Sequence, residues 1–405
     1  PLALVYCYSK RDAANAIKWC KKNRIELRIR TGGHHYEGYS TANGVLVIDT
    51  SMINRISINE TSSTVKIGAG ARLGEIYSAL SEKGYGFPGG TCPSVGISGL
   101  VLGGGIGLSM RLFGLVSDNL LELEIVDARG QILTVSEQRH SDLFWACRGA
   151  GGGNFGVVVS YTFKIFRAGH VTLIQLRWGP EARVDLLNVW KDWLPRADKR
   201  ISCFAGFTGD YAYLNSFFYG SEKEARRILK DFLAIPGLSS ESVIKRVPFI
   251  EAVRAIGAEY GPPLKFKATG RFVFRRISGE TARKLVEWVD RSPDKSKCRF
   301  SLYSLGGVIS DIGADESAFY YRDAQYIMGI SASWEKDRDA ASFKRWVERG
   351  FQFMRSFSKG TYANFPYSEL RDYEREYYGT HAFRLRKIKR KYDPENFFRF
   401  QQSIK

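Results

Sequence analysis

No apolar run in this chain reaches the roughly 20 residues that cross a bilayer, and no secretory apolar region stands near its start. Membrane attachment is therefore not expected. Cysteine is sparse: six residues, irregularly spaced and without a C-x-x-C pair, so no disulfide framework is read and most are taken as reduced core residues. Histidine is scarcer still, five in all, and no His/Cys/Asp group has metal-ligand spacing, so no metal is expected. Acidic residues fall short of basic ones, 42 against 60, leaving a formal charge of +18. That excess raises nucleic acid or an acidic surface as a partner. Lys and Arg are nevertheless dispersed, and in the one dense cluster, residues 384–391, Leu385, Ile388 and Tyr392 recur at helical spacing. The cluster reads as an amphipathic helix with a solvated basic face, and no nucleic-acid partner is expected. The chain opens Pro1-Leu2-Ala3-Leu4-Val5, without an initiator Met and inside a strand-like run, so a preceding N-terminal piece is expected. The expected compartment is the cytoplasm, with secretion left open.

What is present is a large apolar inventory: 405 residues, 44% hydrophobic and 14% aromatic, enough for a large core in two domains. Strand-like residues 2–8 lead into Ser9-Lys10-Arg11-Asp12, a capping box opening a helix with Ala13, Ala16, Ile17 and Cys20 on one face. Strands follow at 25–29, 45–49 and 64–68, an order that points to an α/β layer. The turn after the last of these opens a helix over 72–83 with glycines at 68, 70 and 74 and no acidic ribose partner beyond. It does not match the Rossmann dinucleotide fingerprint. Strands 121–127 and 132–135 form a hairpin, followed by a short helix near 141–145 and a strand over 157–166. Past residue 168 the glycine clusters vanish. Period-2 strands (171–178, 201–207, 211–219, 271–276, 299–305, 325–334) alternate there with amphipathic helices, one capped by Ser221-Glu222-Lys223-Glu224 and one over 341–357. The fold class read from this order is α+β, with a second domain beginning near residues 168–170.

The most unusual stretch precedes that boundary. Ten of the 24 residues from 84 to 107 are glycine, so the backbone there can adopt conformations closed to other residues and lie against a bulky ligand. The stretch is read as a cradle and not as a core element. In its middle Cys92 precedes Pro93, which fixes its own φ and donates no N–H, so the thiol is held on a stiff turn. Residues 30–40 have the same character: a strand runs into a glycine turn carrying His34 and His35.

The two stretches read R-T-G-G-H-H-Y-E-G-Y-S over 30–40 and C-P-S-V-G-I-S-G-L-V-L-G-G-G-I-G over 92–107. In order and spacing they resemble the FAD-linked oxidases of the vanillyl-alcohol-oxidase (PCMH-type) superfamily, in particular the berberine-bridge-enzyme-like group with doubly attached flavin. Gly152-Gly153-Asn154-Phe155-Gly156 and the tail, with Tyr392-Asp393-Pro394-Glu395-Asn396 and Gln401-Gln402-Ser403-Ile404, extend the resemblance. It implies a PCMH-type FAD-binding domain of two α/β subdomains over 1–168. A substrate domain with a broad antiparallel sheet backed by helices would span 169–364, and a segment over 365–405 would return to the first domain. FAD is the implied cofactor, bonded through its 8α methyl carbon to His34 and through C6 to Cys92. Only the motif register, Gly-Gly directly before the histidine, selects His34 over His35. The resemblance places Arg30, Thr31, Gly32, Gly33, His35, Tyr36, Gly90, Thr91, Val95, Gly96, Ser98, Gly99, Gly105 and Gly107 around the cofactor. Gly153, Asn154, Gly156, Val157 and Asn396 would complete its surroundings.

An imidazole and a thiol are among the few side chains able to attack an oxidised flavin carbon. The reaction implied is hydride transfer from a C–H bearing O–H or N–H, with a protein base taking the other proton. Tyr362 matches the first tyrosine of the family's Y-x-N-Y segment, whose second position is Phe365 here. Tyr303 shares one strand face with Arg299 and Ser301 and is a second candidate. Val95, three residues after the cysteine, stands where a small side chain admits dioxygen, so the resemblance implies an oxidase making hydrogen peroxide from a sugar, alcohol or specialised metabolite. A monomer is expected. The alternatives are a flavin-holding coat or storage protein without turnover, a pyridine-nucleotide reductase, or a dehydrogenase with another acceptor.

Overall fold

Serine at position 9 opens the first helix by accepting the Asp12 N–H while the Asp12 carboxylate accepts the Ser9 N–H. This reciprocal cap satisfies donors that a helix start otherwise leaves open, and the helix Lys10–Asn23 follows, burying Ala13, Ala16, Ile17 and Cys20. In the computed structural model, which describes residues 1–262 and 264–405, this helix joins strands of a three-stranded parallel sheet. Leu46–Asp49 lies in its centre between Ala3–Tyr6 and Leu27–Arg30. A second, antiparallel sheet orders Ile56–Asn59, Thr64–Gly68, Val157–Lys164, Leu120–Val126 and Ile132–Ser136. The alternation of buried and open residues in Thr64–Gly68 shows why it is a strand: Val65 and Ile67 face the core and Lys66 faces out.

The third sheet has eight antiparallel strands in the order Val243–Pro248, His170–Trp178, Ala212–Phe218, Ile201–Phe207, Cys298–Ser304, Tyr326–Trp334, Lys265–Val273 and Lys359–Thr361. Helices Arg183–Trp193, Gly279–Asp290 and Ala340–Arg355 pack on it, with Trp288 and Trp346 stacked at 3.8 Å between two of them. α+β is the fold class observed. Among the described residues no helix is long and apolar enough to cross a membrane.

Three readings need correction. The strand expected at 271–276 is Lys265–Val273; lysines at 265 and 267 and Gly270 broke the apolar alternation that marks a strand. The glycine-rich stretch is wall and core at once: Tyr85 and Phe87 are buried, and Ile97–Leu102 is a helix burying Ile97, Val101 and Leu102. The basic cluster forms the helix Ala382–Tyr392, but its face is not wholly solvated. Lys389 is 1% exposed, with its three donors on Asp393 (2.7 Å), the Asn154 carbonyl (2.7 Å) and the Phe398 carbonyl (2.6 Å). A buried ammonium persists only with such a full set of acceptors.

Candidate active site

The two glycine motifs meet backbone to backbone. A β-carbon on Gly32 would lie 2.5 Å from the Gly96 nitrogen, and one on Gly96 would lie 2.6 Å from Thr31 Cγ2 and 2.7 Å from the Gly32 nitrogen. Only hydrogen fits at either position, so the residue type itself closes the loops on each other. The contact forms part of the wall of a cleft of about 700 Å³, within the range of roughly 300–1,000 Å³ for small-molecule and cofactor sites. One end is lined by Gly153, Asn154 and Phe400, the other by Tyr260, Phe266, Tyr303 and Phe365.

His34 and Cys92 both line this cleft and converge on one hydroxyl. Ser94 Oγ lies 3.0 Å from His34 Nε2 and 3.4 Å from Cys92 Sγ. Burial lowers the His34 pKa, helped by the positive charge of Arg72 and opposed by the Ser94 backbone. The ring is held neutral, the form in which a nitrogen lone pair can attack carbon. His35 also lines the cleft but its ring is committed: Nδ1 accepts the N–H groups of Glu37 (3.2 Å) and Tyr39 (3.4 Å), and burial pushes its pKa down to about 4.

Thr31, Gly33, Tyr36, Gly90, Thr91, Val95, Ser98, Gly99 and Gly156 are also in the lining. Gly33, at φ +71°, and Gly99 have open space where a β-carbon would project. The Ser98 hydroxyl donates to the Ala69 carbonyl at 2.7 Å, fixing the Gly68-Ala69-Gly70 turn to the helix Ile97–Leu102 within the glycine-rich stretch. Asn154 spends its amide on structure, donating to the Ala150 and Gly151 carbonyls and accepting the Ile404 N–H at 3.0 Å. Five cofactor candidates stand outside the lining. Arg30 turns to Asp49 (2.5 Å). Gly107 packs on the Gly89 backbone, Gly105 on Val116, and Val157 lies in the core. Asn396 makes a positive-φ turn, +49°, with its N–H on the Asp393 carbonyl.

Beyond Cys92 the cleft becomes an aromatic chamber. Its floor is set by register: Gly206, Ser301, Gly329 and Gly270 stand side by side on four adjacent strands. Over this row of small residues large rings lie flat, since a β-carbon on Gly329 would meet Tyr303 Cε2 at 3.1 Å and one on Gly270 would meet Phe365 Cδ2 at 2.9 Å. Tyr303 packs between Phe204 (4.9 Å) and Phe365 (5.3 Å), and Tyr36 stacks on Phe365 at 5.2 Å and 8°. Tyr260 closes the side through a 2.6 Å bond to Thr91 Oγ1. Burial, with the Tyr36, Tyr213 and Tyr260 phenols nearby, pushes the Tyr303 pKa well above its ordinary value.

Tyr362 is elsewhere. It is buried among Phe272, Phe319 and Phe365 outside the cleft lining, and its oxygen accepts the Gly105 N–H (3.0 Å) and the Asn364 amide (3.1 Å). Burial raises its pKa to about 12. Ser94, Tyr260, Phe266, Asn364 and Phe365 line the site but were not singled out as site residues. Ser94 lay inside the cysteine motif and could have been; Tyr260 and Phe266 sit in segments without any motif.

An isoalloxazine with its ribityl and nucleotide tail suits this cleft chemically: glycine walls that a β-carbon would fill, a neutral imidazole and a thiol side by side, and an aromatic chamber beyond them. Residues 1–136 match the family model described as "FAD binding domain", and residues 361–405 match "Berberine and berberine like". The chain is 37% identical over its whole length to the FAD-linked oxidoreductase YgaK of Bacillus subtilis (strain 168), covering 91% of that protein. Among solved structures, BBE-like 1 of Physcomitrella patens superposes with a TM-score of 0.94 at 29% identity, over 99% of this chain and 91% of that one. The berberine bridge enzyme of Eschscholzia californica gives 0.91 at 25% identity, over 99% and 89%.

Proposed function

Since the chain belongs to the berberine-bridge-enzyme-like family of FAD-linked oxidoreductases, we propose that it is an oxidase with FAD bonded to both His34 and Cys92. Its substrate is a small molecule whose reacting C–H bears a hydroxyl or amine, and its second substrate is dioxygen, released as hydrogen peroxide. FAD supplies hydride acceptance and reoxidation. The chain supplies the rest: the Gly32–Gly96 contact and the Asn154 loop hold the cleft in shape, and the rings of Tyr36, Phe204, Phe266 and Phe365 exclude water from the reacting end. Of the phenols lining that end, Tyr260 is bonded to Thr91, and Tyr303 takes the substrate's O–H or N–H proton. Tyr362, with both its accepting positions filled from the protein, holds the Gly105 turn and Asn364. Val95 keeps the wall beside Cys92 small, which favours oxygen over a larger acceptor.

The observation that carries this reading is the convergence of His34 and Cys92 on one hydroxyl within a glycine-walled cleft that opens into an aromatic chamber. The test is direct. Acid-precipitated protein retains yellow flavin in the pellet, and the H34A/C92A double variant releases it. Oxygen consumption with peroxide release over a panel of sugars, aromatic alcohols and cyclic amines then identifies the substrate. Flavin that is bleached by a panel member but not reoxidised by air would replace the oxidase with a dehydrogenase.

A further inference from the structure

Two nucleophiles share a single hydroxyl in the cleft wall. Ser94 Oγ is 3.0 Å from His34 Nε2 and 3.4 Å from Cys92 Sγ, and Pro93 between Cys92 and Ser94 limits how the turn can move. A serine hydroxyl has one hydrogen and two lone pairs. It can therefore accept the thiol proton and donate its own to the imidazole in one concerted shift, Sγ–H to Oγ and Oγ–H to Nε2. Burial and the neighbouring charge of Arg72 lower the His34 pKa, so Nε2 rests unprotonated and takes the proton in transit rather than holding it. The other five cysteines are all buried, and Cys92, half-buried, lines the cleft.

We infer that Ser94 is a proton relay between Cys92 and His34, through which the imidazole generates the thiolate that bonds to the flavin. The inference rests on the double attachment proposed above. In the thiol step a C–S bond forms at flavin C6 and the C6–H bond breaks. The thiol proton passes through Ser94 to His34 Nε2, and two electrons enter the ring and leave to dioxygen. The balance is R–H plus R′S–H plus O₂ giving R–S–R′ plus hydrogen peroxide. Imidazole attachment has the same stoichiometry, with N–H in place of S–H: in the tautomer that donates Nε2–H to Ser94, Nδ1 keeps its lone pair and attacks, and the Nε2 proton leaves through Ser94, freeing Nε2 for the thiol step. Ser94 is a positioning residue in this scheme: it touches both nucleophiles and forms no bond to the flavin.

Threonine and valine have nearly the same shape and differ in the hydroxyl, so S94T and S94V isolate it. Full-length apoprotein of each is made in a riboflavin-starved host and two rates are measured. One is alkylation of Cys92 by iodoacetamide at fixed pH, read by peptide mass. The other is covalent attachment after mixing with FAD in air, read as acid-precipitable flavin with peptide mapping at both residues. S94T is expected to follow the wild type. S94V is expected to slow both rates by about a hundredfold, the low end of what a positioned proton acceptor contributes, while binding FAD non-covalently and melting at the wild-type temperature. Equal rates in S94T and S94V, in either measurement, would overturn the relay. A wild type that releases all its flavin into acid would overturn the attachment reading, and the alkylation comparison would still decide whether the hydroxyl activates the thiol.

Discussion

At the scale of single residues the two candidate tyrosines have different employment. Tyr362 has its oxygen filled by two donors in the core, whereas Tyr303 lines the chamber. Y303F is expected to lower kcat/KM by roughly 10²–10⁴-fold, the usual range for a lost general base. Y362F leaves the buried Gly105 N–H and the Asn364 amide without an acceptor, a loss of about 1–3 kcal/mol in stability, with less effect on turnover than Y303F. The pH dependence follows from the sign of the shift. The Tyr303 pKa lies well above its ordinary value, so the deprotonated form grows about tenfold per pH unit through neutrality without reaching a plateau. Log kcat/KM for the wild type should rise with unit slope across this range, and the slope should vanish in Y303F. A flat wild-type profile would remove Tyr303 from the proton-transfer step.

At the scale of elements the motif loops were legible in the sequence because glycine spacing states directly where backbone must touch backbone. Gly96 and Gly99, three residues apart, show how this separates folding from binding. G96A forces a methyl against Thr31 and the Gly32 backbone, and a loss of about 1–3 kcal/mol is expected, seen as a lower melting temperature and lost flavin. G99A, in the helix Ile97–Leu102 and facing open cleft, should melt at or above the wild-type temperature and load less FAD. The aromatic chamber was not legible. Tyr303, Phe204 and Phe365 come from two strands and a loop, and their meeting depends on cross-strand register, Phe204 opposite Tyr303 and Ser301 opposite Gly329, which no local pattern states. Where the Tyr362 oxygen points was not legible for a related reason: its motif fixes the residue's place in the chain, while Gly105 and Asn364 decide its partners. Lys389 was misread because its partners Asn154 and Phe398 lie outside its own helix.

At the scale of the whole molecule the histidine loop, the eight-stranded sheet and the C-terminal segment are tied at one buried charge. Lys267, on strand Lys265–Val273, donates to Glu37 of the His34 motif at 2.7 Å, to Ser368 at 2.9 Å and to Glu369 at 3.2 Å, while the Ser368 N–H donates to the same Glu37 oxygen at 3.0 Å. Lys267 and Glu37 side chains are each 10% exposed. Surface pairs contribute little, but removing one member of a buried pair leaves the other charge desolvated, a cost of about 3–5 kcal/mol. K267M should therefore lower the melting temperature sharply, and E37Q/K267M should recover much of the loss by removing the stranded carboxylate. The same cycle can be read in the flavin. If the clamp does no more than stabilise the chain, attachment in the double variant returns together with its melting temperature. If the clamp also holds the turn before Glu37 in place, the double variant melts near the wild type yet bonds FAD at His34 more slowly, because the Lys267 contact fastens that turn to the sheet forming the chamber floor and leaves only packing such as Tyr36 on Phe266 when it is lost.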